Sequence, residues 1–485
     1  MISAARMAAV DANAAALGVP RKQLMESSGA AVARAVREVA ASNASVALVC
    51  GRGNNGGDAM VTARFLDGND PTIHLLGRPE TIRTGISREN WDAARAAEVE
   101  TRVVRDSRTL DLDDPDVVVD AMLGTGATGA PREPERSAVE AVNGTDATVV
   151  AVDVPTGVDA DTGEAPGVAV DADRVVTFHD AKPGLEALDV EVTVADIGIP
   201  RAAERLVGPG DLLGLDRDPE SHKGQHGEVL VIGGGPYTGA PALAARAAGR
   251  AGADLVRVAC PRHVAREVQA FEAGLIVRPF DGERLTPAAV PDLLDRAREH
   301  DAVVLGPGLG NAEETLTAAE TFIEGYDGRA VVDADPLRVV PDATTDATLV
   351  CTPHAGELAA MGYEAGDDRA AREVATARAA ADLDTTVLLK GRHDVASDGE
   401  RTRVNRTGTP AMTVGGTGDV LAGTTGALLA TTDPRLDPLA AASIGVYANG
   451  IAGELATGGR EHGLIATDLL DRLPAALGGE ADDRI

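Results

Sequence analysis

Short, uninterrupted apolar runs rich in valine recur along this chain, separated by alanine-rich stretches of helical length. The first half carries VALVC (46–50), TIHLL (72–76), DVVVDAM (116–122), ATVVAVDVP (147–155), RVVTF (174–178) and DVEVTVADIGI (189–199). The second carries EVLVIGG (228–234), DLVRVAC (254–260), DAVVLGPG (301–308), RAVVDAD (329–335), ATLVC (347–351) and TTVLLKG (385–391). Continuous apolar runs suit strands buried on both faces, and intervening helices supply the crossovers of a parallel sheet. Both halves are therefore expected to be α/β and doubly wound. The pattern lapses between Pro200 and Gly227, where Gly, Asp and Pro dominate, which makes this the best linker. A boundary near residue 212 gives domains 1–212 and 213–485, and no short repeat suggests a solenoid.

Composition narrows the partners. The formal net charge of −31 disfavours nucleic acid and anionic lipid, both of which call for a basic surface. Only Lys22, Lys182, Lys223 and Lys390 are lysines, so nearly all the cations are arginine. An acidic, lysine-poor surface suits the molar salt of a halophilic archaeon, where the Debye length is about 3 Å. High-GC coding bias or an ordinary acidic cytosolic enzyme would look similar. Cys50, Cys260 and Cys351 are far apart and each closes an apolar run, so they read as buried small hydrophobes at strand ends. There is no signal-peptide pattern and no apolar stretch of about 18 residues, so a soluble, cytoplasmic protein is expected, with no nucleic-acid or membrane partner. A homo-oligomer is also expected.

Open parallel sheets bind ligands beyond the carboxyl ends of their strands, so the residues following each run are the informative ones. After VALVC comes GRGNNGGD (51–58), whose glycines let backbone N–H groups approach a ligand at a helix start. Asn54, Asn55 and Asp58 add directional contacts; a tight turn with Asp58 as helix cap is the plainer alternative. Asp120 and Asp153 end two further runs and lead into Gly/Thr loops. Such a pair can hold a cation, or one member can act as a base, unless each merely caps its own loop.

Together with LMESSGAAVARAV (24–36), VVDAMLGTGATG (118–129), VDVPTGVD (152–159) and TFHDAKPGL (177–185), this half resembles the N-terminal domain of the NAD(P)H-hydrate repair enzymes. That domain is an epimerase, interconverting the R and S forms of 6-hydroxylated NADH or NADPH. The resemblance implies a Rossmann-like fold and a hydrate site at Asn54, Asn55, Gly56, Gly57, Asp58, Gly124, Thr125, Gly126, Ala127, Thr128, Gly129, Ala130 and Asp153. It also implies a K⁺ ion held by Asn55, Asp120 and Thr156. Asp153 is the candidate base and Lys182 an assisting group, unless Lys182 is a surface lysine. Ala59 stands where the family usually has glycine.

In the second half, VGGTGD (414–419) opens a helical run, and its glycines offer N–H donors and a helix dipole to a phosphoryl group. Asp419 can take a proton from a substrate hydroxyl there; a glycine turn capped by Asp is the alternative. His354, after ATLVC, can hydrogen-bond a ligand or simply cap a helix. With HKGxxG, TPHAGE and LLKG present as well, residues 220–475 resemble the ribokinase-like, ADP-dependent (S)-NAD(P)H-hydrate dehydratase domain. The resemblance implies that ADP, with Mg²⁺, phosphorylates the ring hydroxyl, and that elimination restores NAD(P)H and leaves AMP and phosphate. It places Ala240, Gly308, His354 and Asp419 on the hydrate, and Lys390, Gly391, Arg392, His393, Asp394 and Gly418 on the nucleotide. Asp394 replaces the family's threonine, which puts its side chain's role in doubt.

The expected activity is bifunctional repair of NADHX and NADPHX: epimerisation, then dehydration of the S form. A ribokinase-like kinase of a small alcohol fused to a non-catalytic domain is the runner-up, and would leave its product phosphorylated. A binding or scaffold protein is the third reading; it would be favoured by loss of Asp120, Asp153 and Asp419, all of which are present.

Overall fold

A computed structural model describes residues 1–215, 217, 219–432 and 435–478. The chain divides into two compact units, Met1–Ala203 and Glu204–Ile485. In the first, β1 (Ser45–Cys50), β2 (Asp70–Leu76), β3 (Glu100–Val104), β4 (Val117–Ala121), β5 (Thr148–Val152), β6 (Arg174–Phe178) and β7 (Glu191–Ala195) form one sheet. Its order is β3-β2-β1-β4-β5-β6-β7 and every pairing is parallel. Both faces are covered. Val46, Leu48 and Cys50 of β1 enter one apolar cluster, while Ala47 and Val49 enter another on the opposite face. Three helices of this unit bear on the site: α1 (Ala4–Ala16), α2 (Arg21–Val39) and α3 (Asn54–Phe65).

The second unit holds β8 (Glu228–Ile232), β9 (Leu255–Ala259), β10 (Ile276–Val277), β11 (Ala302–Leu305), β12 (Arg329–Val332), β13 (Thr348–Cys351), β14 (Thr386–Leu389), β15 (Asp394–Ser397) and β16 (Thr402–Asn405). They are ordered β10-β9-β8-β11-β12-β13-β14-β15-β16. The sheet is parallel as far as β14, but β14–β15 and β15–β16 pair antiparallel, which corrects the all-parallel expectation. DVAS and TRVN are short and polar, and edge strands of that kind carry no apolar run to betray them. Residues 206–211 pack on this edge: the Val207 amide donates to Val404, and Arg403 pairs with Asp211 at 2.8 Å.

Two helices lie against the second sheet, α4 (Gly239–Arg250) and α5 (Thr417–Ala430). Every residue of α5 from Val420 to Ala430 is buried, as its apolar circumference requires. Gly423 permits the close approach of α4: a Cβ there would sit 1.9 Å from the Ala244 carbonyl oxygen. Gly423→Ala should therefore destabilise the second unit by roughly 3 kcal/mol, at the upper end for overpacking. Denaturant unfolding checks this, and it should also depress reactions at Asp419, one turn earlier. All three cysteines are buried, at or just beyond strand ends as expected.

Candidate active sites

In the first unit the sheet order reverses between β1 and β4, the position where a crevice opens above a parallel sheet. β1 feeds α3 through Gly51–Gly53, and α3 already begins at Asn54. Asp58 therefore lies inside the helix and is not its cap, which removes the plainer reading of that residue. Gly56 cannot carry a side chain, because a Cβ would meet the Gly51 carbonyl oxygen at 2.1 Å. Asn54 is exposed, while Gly56, Gly57 and Asp58 are buried.

Asn55, Asp120 and Thr156 are linked through the Leu123 backbone and the Thr156 hydroxyl. Asn55 Nδ2 donates to the Leu123 carbonyl at 2.9 Å, and Thr156 Oγ1 donates to Asp120 Oδ1 at 2.7 Å. The Thr156 and Met122 amides also donate to the Asp120 carboxylate, at 2.8 and 3.3 Å. Asp120 is fully buried, and among the described residues no cationic side chain pairs with it. Burial pushes its carboxyl up to about 6 even though the Thr156 hydrogen bonds pull the other way.

Asp153 follows β5 in the left-handed region, at φ 69°, a conformation that costs a non-glycine residue energy and recurs at functional sites. Its carboxylate accepts from Thr177 Oγ1 at 3.1 Å and from the Thr125 amide at 3.4 Å, and pairs with Lys182 Nζ at 3.2 Å. Lys182 has no exposed surface, so it is no surface lysine. Its Nζ also donates to the carbonyls of Phe178 (2.8 Å) and Asp180 (3.2 Å). The Gly124–Ala130 loop becomes more exposed towards Ala130, and Gly124, Ala127 and Gly129 line a cavity that continues along Val154 and Pro155.

In the second unit Ala240 and Gly308 adjoin: a Cβ on Gly308 would lie 3.2 Å from the Ala240 Cβ. Asp333, one residue past β12, is buried and accepts from Thr352 Oγ1 and from Lys390 Nζ, both at 2.7 Å. Ala334 beside it is held at φ 60°, ψ −141°, a backbone region natural only to glycine. Glu357 lies 3.5 Å from Lys390 Nζ and accepts from the His354 amide at 2.8 Å. His354 Nδ1 in turn caps the helix Ala355–Ala360, accepting from the Glu357 amide at 3.1 Å, while the ring stays exposed.

Asp419 and Gly418 stand in the first turn of α5, whose opening N–H groups have no intrahelical acceptor. Lys390 Nζ would lie 3.5 Å from a Cβ on Gly418. Burial, followed by the Asp333 charge, drives Asp419 up to about 7. Burial pulls the Lys390 ammonium down, but Asp333 and Glu357 outweigh it and hold Lys390 above its ordinary range.

Asp394 does not point outward. Its carboxylate accepts from the Gly391 amide at 2.9 Å and Asn405 Nδ2 at 3.0 Å, tying together the turn that carries Gly391, Arg392 and His393. Asp333, Glu357 and Thr352 are supporting residues to which the motifs assigned no role; the signal available was one strand end bearing an acid and another bearing a lysine.

Residues 229–475 match the family model described as NAD(P)H-hydrate dehydratase, and residues 21–184 the one described as YjeF-related protein N-terminus. A protein of Methanothermobacter thermautotrophicus named bifunctional NAD(P)H-hydrate repair enzyme Nnr is 43% identical over 97% of this chain and 94% of its own. One of the same name from Pyrobaculum aerophilum is 43% identical over 98% of both chains. A solved Bacillus subtilis structure, described as an ADP/ATP-dependent NAD(P)H-hydrate dehydratase co-crystallised with ATP/Mg²⁺, is 27% identical over 54% of this chain and 93% of its own, with a TM-score of 0.47.

Proposed function

The chain belongs to the family of bifunctional NAD(P)H-hydrate repair enzymes, and from that premise we propose how its own residues divide the work. The enzyme epimerises hydrated NAD(P)H and dehydrates the S form. The observation that carries the division of labour is that each unit holds its own carboxylate–lysine pair at its strand ends with one partner buried, Asp153–Lys182 in the first and Asp333–Lys390 beside Asp419 in the second.

In the first unit Asn54–Asp58 and Gly124–Ala130 cradle the hydrate, Asp153 exchanges protons with it, and Lys182, 3.2 Å away, holds the Asp153 side chain in place. The Asp120 surroundings fit a monovalent cation: a buried carboxylate without a cationic partner among the described residues, next to the hydroxyl of Thr156, the side-chain amide of Asn55 and the Leu123 carbonyl. K⁺ there would supply the missing positive charge and tie the Gly124 loop to the Thr156 turn. At constant molar ionic strength, replacing N-methylglucamine with K⁺ should raise the first unit's unfolding temperature by several degrees. Site occupancy at about 100 times Kd corresponds to ~2.7 kcal/mol. Asp120→Asn should abolish the difference, and an equal rise in that variant would contradict the site.

In the second unit Ala240, Gly308 and His354 hold the S hydrate with its ring hydroxyl at Asp419, which removes the proton. The N–H groups around Gly418 and the Lys390 ammonium stabilise the phosphoryl group in transfer, and Gly391–Asp394 carry the nucleotide. Asp333 and Glu357 offer oxygen donors that fit a nucleotide-borne Mg²⁺, which supplies charge neutralisation on the phosphates. Phosphate is a far better leaving group than hydroxide, so elimination from the phosphorylated hydrate restores NAD(P)H. Incubating the S hydrate and Mg²⁺ with ADP or ATP in turn tests the co-substrate: the account expects NADH with AMP and phosphate from ADP. A hydrate that stays phosphorylated would favour the kinase reading.

A further inference from the structure

The two halves of the first sheet end in opposite charges. On one side of the order reversal, β4 and β5 lead to Asp120 and Asp153. On the other, three neighbouring parallel strands each run out into an arginine: Arg52 two residues past β1, Arg78 two past β2 and Arg105 one past β3. Gly77, at φ 115°, lets the Arg52 side chain lie across the end of β2. A Cβ on Gly77 would be 3.0 Å from Arg52 Cδ and 3.4 Å from its Nε. The Arg83 amide donates to the Arg52 carbonyl at 2.8 Å, and the Gly77 amide to the Val104 carbonyl at 2.9 Å, so these three strand exits are pinned together. Arg88 braces the turn after Arg78 by donating to the Glu80 and Ile82 carbonyls. Yet Arg52 Nε is buried with no hydrogen-bond partner, and among the described residues the Arg52, Arg78 and Arg105 guanidinium groups pair with no carboxylate. Asp106, next to Arg105, is committed to Arg108, and Glu80 is exposed. Other arginines of this unit do pair, as Arg64 with Glu26 and Arg174 with Glu38 and Glu191. In a chain of net charge −31, unpaired arginines gathered at a ligand-binding edge point to an anion.

The substrate is polarised in the same sense. Its hydrate ring is uncharged and belongs with Asp153, while its negative charge lies on the pyrophosphate and, in NADPHX alone, on the adenosine 2′-phosphate. With the ring at β5, a dinucleotide laid across the reversal extends over β1 towards β2, about 14 Å away at the ~4.8 Å spacing of adjacent strands. In dinucleotide-binding sheets of this order the exit of the second strand meets the adenosine ribose, where an acid takes the 2′-hydroxyl and an arginine the 2′-phosphate. Here that exit is Gly77-Arg78, with Arg52 lying against it. We propose that Arg52 and Arg78 form the subsite for the adenosine 2′-phosphate, so that the first unit favours NADPHX over NADHX. This deepens the epimerase reading and rests on it. Arg52, half-buried and held against Gly77, supplies a fixed charge-assisted contact, and the exposed Arg78 closes on the phosphate from the solvent side. Direct contact is what counts, because molar salt screens attraction beyond about 3 Å.

The test follows epimer exchange by the full chain in molar KCl without ADP, on pure R hydrate of NADPH and of NADH in turn. Arg78→Gln should raise KM for the NADPH hydrate about tenfold, the loss of one charge-assisted contact, with kcat within about twofold. Both constants for the NADH hydrate should stay within about twofold, which also controls for folding. The double variant Arg52→Gln/Arg78→Gln should lose the preference altogether, and Arg78→Lys should recover part of it. Adenosine 2′,5′-bisphosphate should inhibit exchange of the NADH hydrate more strongly than adenosine 5′-monophosphate in the wild type, and no more strongly in the double variant. Equal losses with the two hydrates, discrimination that survives the double substitution, or equal inhibition by the two nucleotides in the wild type would overturn the proposal. Absence of exchange with both hydrates in the wild type would instead defeat the epimerase reading itself.

Discussion

Asp419→Ala should abolish recovery of NADH from the S hydrate while R and S continue to exchange at the wild-type rate. In the proposed mechanism Asp419, in the first turn of α5, takes the hydroxyl proton, and a positioned base contributes roughly 10²–10⁴-fold to such a step. Because the alanine variant also loses a side chain that Lys390 and the phosphoryl group would face, the upper part of that range is expected. The surroundings predict a pH signature as well. Burial and Asp333 raise Asp419 to about 7, and a base works only when deprotonated, so kcat/KM for dehydration should climb as pH rises through about 7. Lys390 lowers Asp419, so Lys390→Met should move that rise to still higher pH. Stopped or coupled assays across pH 5–9 would show it, and a flat profile would remove Asp419 from the proton transfer.

Asp153→Ala should do the reverse, ending epimer exchange by a comparable factor and leaving dehydration of S intact. The loss has two parts. Asp153 is the proposed base of the first site, and without it Lys182, which has no exposed surface, loses its ion-pair partner while its Nζ still donates to the Phe178 and Asp180 carbonyls. Breaking a buried pair in this way typically costs 3–5 kcal/mol, so Asp153→Ala is expected to lower the first unit's stability as well. Asp153→Asn keeps the hydrogen-bonding shape and separates the two effects: exchange should still be lost, with less destabilisation. Retained exchange in Asp153→Asn would assign the proton transfer elsewhere.

Much of this architecture can be read from periodicity, because strands buried on both faces have to be apolar without interruption. β1, β4, β8 and β11 stand out for that reason, and their glycine-rich exits are conspicuous since only glycine tolerates a carbonyl 2 Å from its Cβ position, as at Gly51 and Gly306. What escapes is whatever depends on distant partners. β3, β15 and β16 are edge or near-edge strands with polar residues, and hydrogen bonding to neighbours makes them strands. Lys182 looks like any loop lysine until the fold closes over it. Asp394 shows the opposite case, a motif position whose carboxylate serves the turn itself.

The central claim is that one chain carries both reactions in sequence. Pure R hydrate of NADH, incubated with the intact chain, ADP and Mg²⁺, tests it most directly while both epimers and NADH are followed over time. The account predicts S hydrate as a transient and NADH recovered to the full amount of R supplied, at a rate well above spontaneous epimer exchange. R hydrate that persists while added S hydrate is consumed would contradict it.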